Sequence, residues 1–346
     1  MVISNHVPNV SERDYPGKQY QNREARTNLI DAVRINMTEQ TMSLIILALN
    51  ALVDSAEVFP VVIKSDLHAC ILHIFATILS TGACQDVLVG RVLPILRRFL
   101  QGLERNPQHE TMSQLRSALG RFLIILKNSQ KREFEGAVQC EKNSLLACTI
   151  LMTTCARTLP ASDPLITRFI DELAECLDSK MTTKVAAGLS RSLFLSSTNA
   201  TDNENTPTES SISSQLLPHL LTFVGEPTEI EGAEESRILI AQALTIYSLS
   251  TTTDRRAIAL GIVIPTLLKR AAAEGPDVYP DTSARLLEIA GKEQDTFRAI
   301  IGAFDTEQRT LVEEVLRAAP QAGQARRQGG VDAESAQPSI ALKMNF

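Results

Sequence analysis

The closest approach to a metal-binding set in this chain is His68, Cys70 and His73, within the stretch DLHACILHIF. Zinc takes histidine, cysteine and carboxylate ligands that converge on one point, so ligands drawn from one helix must share a face. The surrounding spacing is helical, and on a helix residues five apart diverge by about 140° at ~3.6 residues per turn. Cys70 falls on the apolar stripe instead. The reading is therefore no metal site and no cofactor. The remaining histidines, His6, His109 and His219, are scattered, and Glu172 and Glu175 read as part of a solvated helix face. There is no G-x-x-x-x-G-K phosphate loop, no G-x-G-x-x-G, no G-x-S-x-G elbow and no H-E-x-x-H. No catalytic residue is assigned, and the chain is read as non-enzymatic.

Six cysteines in 346 residues do not make a disulfide framework. Cys148 and Cys155, seven apart, share a face with Leu151, Met152 and Leu159, so they are expected as buried, reduced thiols. Arg97 and Arg98, Arg255 and Arg256, Lys269 and Arg270, and Arg326 and Arg327 are pairs without interleaved aromatic residues. Such pairs are expected on solvated helix faces or in a tail, not as a nucleic-acid or phosphoinositide patch. The acidic run EPTEIEGAEE, residues 226–235, is expected to be a loop that aids solubility. A net charge of −6 gives no general attraction to nucleic acid or anionic lipid.

The elements that must position these residues read as helices almost throughout. Leu67, Cys70, Ile71, Ile74, Phe75 and Ile78 follow the i, i+3, i+4, i+7 rule, as do Leu115, Ala118, Leu119, Phe122 and Leu126. Ile166, Phe169, Ile170, Leu173 and Leu177 repeat it. Three apolar runs, VLPILRRFL, LLPHLLTFV and VIPTLLKRA, carry a proline at a matched point: Pro94, Pro218 and Pro265. One proline inside a helix would read as a break, whereas three in matched settings argue for a repeated bent helix. They stand about 124 and about 47 residues apart, which fits three units and one unit of a HEAT-type repeat of ~40–47 residues.

The fold class expected is all-α: a HEAT/armadillo-like α-solenoid of about five to six antiparallel helix pairs. Low aromatic content, 4%, and the absence of tryptophan suit close helix–helix packing. The expected segments are a disordered amino-terminal stretch over 1–26, helical repeats over 27–195, a flexible polar loop over 196–213, repeats over 214–319, and a disordered tail over 320–346 with an apolar end. The first residues hold no apolar stretch of the kind a secretory signal needs. No run is long and apolar enough to read as a membrane span.

Residues 50–85, NALVDSAEVFPVVIKSDLHACILHIFATILSTGACQ, resemble the carboxy-terminal part of the large HEAT-repeat accessory proteins of the type-1 clathrin adaptor complex, and the terminal SIALKMNF is similar to the way those chains end. The resemblance runs from about Met42 to Phe346, less firmly in the middle, and is absent from the first 25 residues. It implies a helical solenoid without enzymatic activity. It further implies partners in the clathrin adaptor complex or its accessory subunits, with no nucleic acid and only indirect membrane association. The localisation implied is cytoplasmic, peripherally at the trans-Golgi network, endosomes or clathrin-coated vesicles. Members are several-fold longer, so this chain corresponds to their distal end.

The function expected is a protein-binding scaffold in clathrin-adaptor-dependent traffic between trans-Golgi network and endosomes. The same fold would also serve an armadillo-type nuclear transport or chromatin-associated scaffold. In the tail, Ile340, Leu342, Met344 and Phe346 alternate with polar or small residues, so an extended strand would line four apolar side chains on one face. These four residues are the candidate partner-binding or capping motif.

Overall fold

A computed structural model describes residues 19–318, apart from 57, 59–60, 82–83, 108, 132–135, 156–157, 161, 197–206 and 228–229. Side chains are described from residue 38 onward, except at 61–63, 207–211 and 253–254. Among the described residues there is no strand. No described helix is long and apolar enough to cross a membrane. The chain divides into two compact units, Met1–Thr158 and Leu159–Phe346.

The first unit holds α1 (Gln19–Ala56), α2 (Val61–Leu79), α3 (Asp86–Arg105), α4 (Thr111–Lys131) and α5 (Ala137–Thr154). In it α3 packs on α1 and α5, and α2 packs on α4, so helices two apart in sequence stack as layers. The expected stripe of α4, Leu115, Ala118, Leu119, Phe122 and Leu126, is buried throughout. That of α2 is displaced: His68, Ile71, Leu72, Phe75, Ile78 and Leu79 are buried, while Cys70 is exposed. Apolar residues surround α2 on most sides, so spacing alone leaves its inward face open, and contact with Phe99 of α3 selects it.

The second unit holds α6 (Pro164–Leu177), α7 (Thr183–Ser196), α8 (Pro207–Gly225), α9 (Ala233–Ser250), α10 (Thr253–Glu274), a short 3-10 helix (Gly275–Val278), α11 (Tyr279–Lys292), α12 (Gln294–Gly302) and α13 (Thr306–Arg317). Here α6, α8 and α10 form one layer and α7, α9 and α11 the other. The α6 stripe is buried as its spacing predicts. Asp163 caps α6 by accepting from the Leu165 amide at 3.0 Å, with Pro164 in the first turn. Asp305 and Gln308 close a capping box on α13. Helices α6, α8 and α10 begin about 43 and about 46 residues apart. This exceeds the ~34 residues of a TPR and falls in the ~40–47 range of HEAT and armadillo repeats.

A ladder of polar contacts records the stacking. Arg91 donates to Ser43 and Arg98 to Asn50, each 48 residues apart. Gln114 donates to the Ser65 carbonyl at a separation of 49, and Thr167 donates to Gln215 at 48. Near-constant separation in both units is what repeated helix pairs require.

Pro94, Pro218 and Pro265 all lie inside helices, α3, α8 and α10, with Pro94 and Pro218 exposed. Pro218 and Pro265 occupy neighbouring helices of one layer, as their spacing of about 47 residues predicts. Four residues before each proline, where the ring crowds the carbonyl, stand Gly90, Ser214 and Gly261.

Two expected boundaries are corrected. Helix α1 begins at Gln19, so 19–26 are not a disordered lead. Helix α8 begins at Pro207, so 207–213 are helical instead of part of a polar loop, and Ser213 is buried. Pro207 supplies the first-turn proline, and the apolar run after Ser211 gives the segment a face to bury. Residues 320–346 lie outside the described residues.

Candidate functional site: helix faces and a buried ion cluster

The residues suspected of metal chemistry do not converge. His68 is buried, with its ring edge-on to Phe99 at 5.5 Å. His73 is exposed and lies 2.6 Å from Arg121, and Cys70 faces solvent. Among the described residues no group of three or more His, Cys, Asp or Glu is placed to hold a metal ion. Cys148 and Cys155 are buried and outside any disulfide, as expected. Burial pushes the Cys84 thiol up to about 11, with Cys140 adding to the shift, and raises Cys155 as well, with the charge of Glu104 contributing. These thiols stay protonated at neutral pH and serve as packing and weak donors: Cys140 Sγ donates to the Ser80 carbonyl at 3.1 Å.

The basic and acidic residues depart further from the sequence reading. Arg97 and Arg98 are exposed, with Arg98 2.9 Å from Asp54. Arg270, however, has no solvent exposure, and neither it nor Glu172 belongs to a solvated face. Arg270, in α10, donates to Asp281 of α11 at 3.2 Å, to Glu274 at 3.5 Å and to Glu234 of α9. Arg237 of α9 is equally enclosed. It donates to the carbonyls of Phe223 at 3.0 Å and of Val224 and Glu226 at 2.6 Å each, and pairs with Glu274. One guanidinium thus caps the carboxyl end of α8, whose last carbonyls have no intrahelical partner. Arg285 extends the cluster to Asp281 and Glu288.

The run 226–235 is accordingly a set of partners more than a solubilising loop. Glu226 pairs with Lys269, Glu231 with Lys180, Glu234 with Arg270 and Glu235 with Lys184. Burial brings the Arg237 guanidinium down to about 10, with the charge of Arg270 adding and that of Glu234 opposing. It remains a cation at neutral pH. Burial raises the Asp281 carboxyl, against the opposing pull of Arg270 and Arg285. Arg237 and Arg270 each face carboxylates or carbonyls on neighbouring helices, an arrangement that fixes how α8 to α11 stack, while Arg285 pairs within α11. Spacing could not have revealed it, because Arg270 follows Lys269 as an ordinary basic pair.

Beside this cluster, α6 and α8 leave an open groove lined by Ala174, Leu177, Asp178, His219, Thr222 and Phe223. His219 stands 3.9 Å from Asp171 on the same surface. The four candidate motif residues Ile340, Leu342, Met344 and Phe346, and the pair Arg326 and Arg327, lie outside the described residues.

These features define the class: an all-helical repeat protein of the α-solenoid type, built to present helix faces. Residues 162–329 match the model of a family described as LAA1-like, C-terminal TPR repeats. The match falls within the second unit, in the carboxy-terminal half of the chain, and does not include residues 50–85. No curated protein matches the chain, and no solved structure does.

Proposed function

We propose that the chain is a non-enzymatic protein-binding scaffold in clathrin-adaptor-dependent traffic between the trans-Golgi network and endosomes, acting in the cytoplasm at those membranes through protein partners. The observation that carries this reading is the likeness of residues 162–329 to the LAA1-like family, a family of the adaptor-accessory type that residues 50–85 and the terminal SIALKMNF also resemble. The architecture supports it: a repeat stack of helices presents long helix faces on which protein partners can bind. Proximity labelling with the intact chain tests it. Enrichment of clathrin adaptor subunits and trans-Golgi proteins is the expected result, and enrichment of importins or chromatin proteins in their place would overturn it.

A further inference from the structure

The large apolar side chains exposed among the described residues of the second unit are Met181, Ile258, Ile262 and Leu287. Met181 lies in the turn before α7 and Leu287 stands alone on α11, whereas Ile258 and Ile262, 67% and 42% exposed, are one turn apart on α10. Gly261, Lys269 and Ala272 are exposed with them and Pro265 is half-buried. The outward stripe of α10 thus runs through residues 255, 258, 262, 265, 269 and 272 at helical spacing. It is apolar in the middle, with Arg255 and Lys269 on either side. The other helices of its layer, α6 and α8, expose no large apolar side chain among the described residues. Adjacent apolar residues on a solvent face mark a contact surface.

The chain itself supplies an occupant. Helix α13 packs on α10 and α11, so the segment that follows it, 319–346, departs from a helix already seated on α10. Residues 319–339 are almost without large apolar side chains, and at ~3.3–3.6 Å per residue they reach up to about 70 Å. Helix α10, with 22 residues, is only about 33 Å long. Ile340, Leu342, Met344 and Phe346 then alternate with Ala341, Lys343 and Asn345. Extended, they form one apolar row about 20 Å long, which fits within the outward stripe of α10, about 25 Å from Arg255 to Ala272. A tether of this length holds the row at an effective concentration on the order of millimolar, which a free competitor must exceed. We propose that residues 340–346 lie extended along the outward stripe of α10, with the apolar row seated on Ile258 and Ile262 and with Lys343 and Asn345 turned to solvent. The contact lies within one chain and is independent of the traffic reading.

Thiol labelling tests it. In a Cys70→Ser background, which removes the exposed cysteine, Ile258→Cys is reacted with a maleimide in the intact chain and in a chain ending at Gln337. Labelling should be several-fold slower in the intact chain, at a rate unchanged by dilution, while Met181→Cys labels equally fast in both. Equal rates for Ile258→Cys overturn the proposal. Slow labelling that persists in the shortened chain also overturns it, because another segment would then be the cover. Protection that fades on dilution does the same, since the cover would be a second copy. Changing Ile340, Leu342, Met344 and Phe346 together to serine must abolish the protection; if it survives, the apolar row is not the contact. An equal change at Met181→Cys is also contrary, since the unit itself would then have loosened. Should Ile258→Cys fail to fold, Ile262→Cys reports the same contact with the same outcomes.

Discussion

A guanidinium withdrawn from water loses hydration worth several kcal/mol and regains it only through well-placed opposite charges. Arg270 meets that demand with three carboxylates from three helices. Removing it takes away the partner of Glu234 and leaves Glu274 and Asp281 with only Arg237 and Arg285 to offset them, so Arg270→Met should destabilise by about 3–5 kcal/mol in urea unfolding. Arg98→Met, which breaks an exposed pair with Asp54, should cost about 0–1 kcal/mol. Equal losses from the two would show that the cluster is solvated. Asp281 adds a pH signature. Its carboxyl is raised by burial, so between the ordinary aspartate value and its own raised one the native state binds more protons than the unfolded state. Stability from this group is then complete at the acid end of that window and declines as pH rises through it. Urea midpoints measured at stepped pH should show this decline in the wild type and a flatter profile in Asp281→Asn. A difference between the two proteins that stays constant with pH would contradict it. None of this was visible in the sequence, where Arg270 and Glu234 are separated by 36 residues and each has ordinary charged neighbours.

At the scale of the helix, a proline in the interior costs about 3 kcal/mol relative to alanine when nothing else adjusts. The chain places three such prolines, each preceded at four residues by Gly90, Ser214 or Gly261. A small residue there leaves room for the crowded carbonyl to tilt, the accommodation that Gly261 offers to Pro265 in α10. Gly188 lies in α7, away from any proline, and an added Cβ would meet nothing within 4 Å at either position. Gly188→Ala should therefore stabilise by about 1 kcal/mol, the ordinary helix-propensity gain. Gly261→Ala should gain clearly less, because it stiffens the turn that the Pro265 ring distorts. Equal rises in thermal midpoint would show that the glycine has no part in accommodating the proline. Helices of this kind were legible from spacing where one face alone was apolar: Leu115 to Leu126 and Ile166 to Leu177 are buried as expected. Spacing failed for α2, where apolar residues leave no unique inward face and Cys70 and His68 exchange roles. It failed again at 207–213, where Ser and Thr disguise the first turns of α8 as loop.

For the whole molecule the governing fact is that each helix contacts its neighbours in the stack and the chain divides into two compact units. Stability in such a protein is close to a sum of local terms, so damage should stay where it is made. Leu119 lies in α4 at 1% exposure, and Phe169 in α6 at 0%. Truncating either to alanine removes the transfer energy of the lost atoms and leaves a cavity between rigid helices, together about 2–5 kcal/mol. In a single cooperative core that loss would lower protection everywhere. In a one-dimensional stack Leu119→Ala should speed native-state amide exchange in α2, α4 and α5 while α9, α10 and α11 keep their wild-type rates. Phe169→Ala should speed α6, α7 and α8 and spare α2 to α4. Hydrogen exchange read by mass spectrometry resolves the helices separately. The ion cluster that ties α8 to α11 makes the second unit the sterner case: protection in α10 should persist in Phe169→Ala until the charges of Arg270 and Arg237 are themselves removed. Uniform acceleration across both units after either substitution would show that the chain unfolds as one body and that nearest-neighbour packing does not describe it.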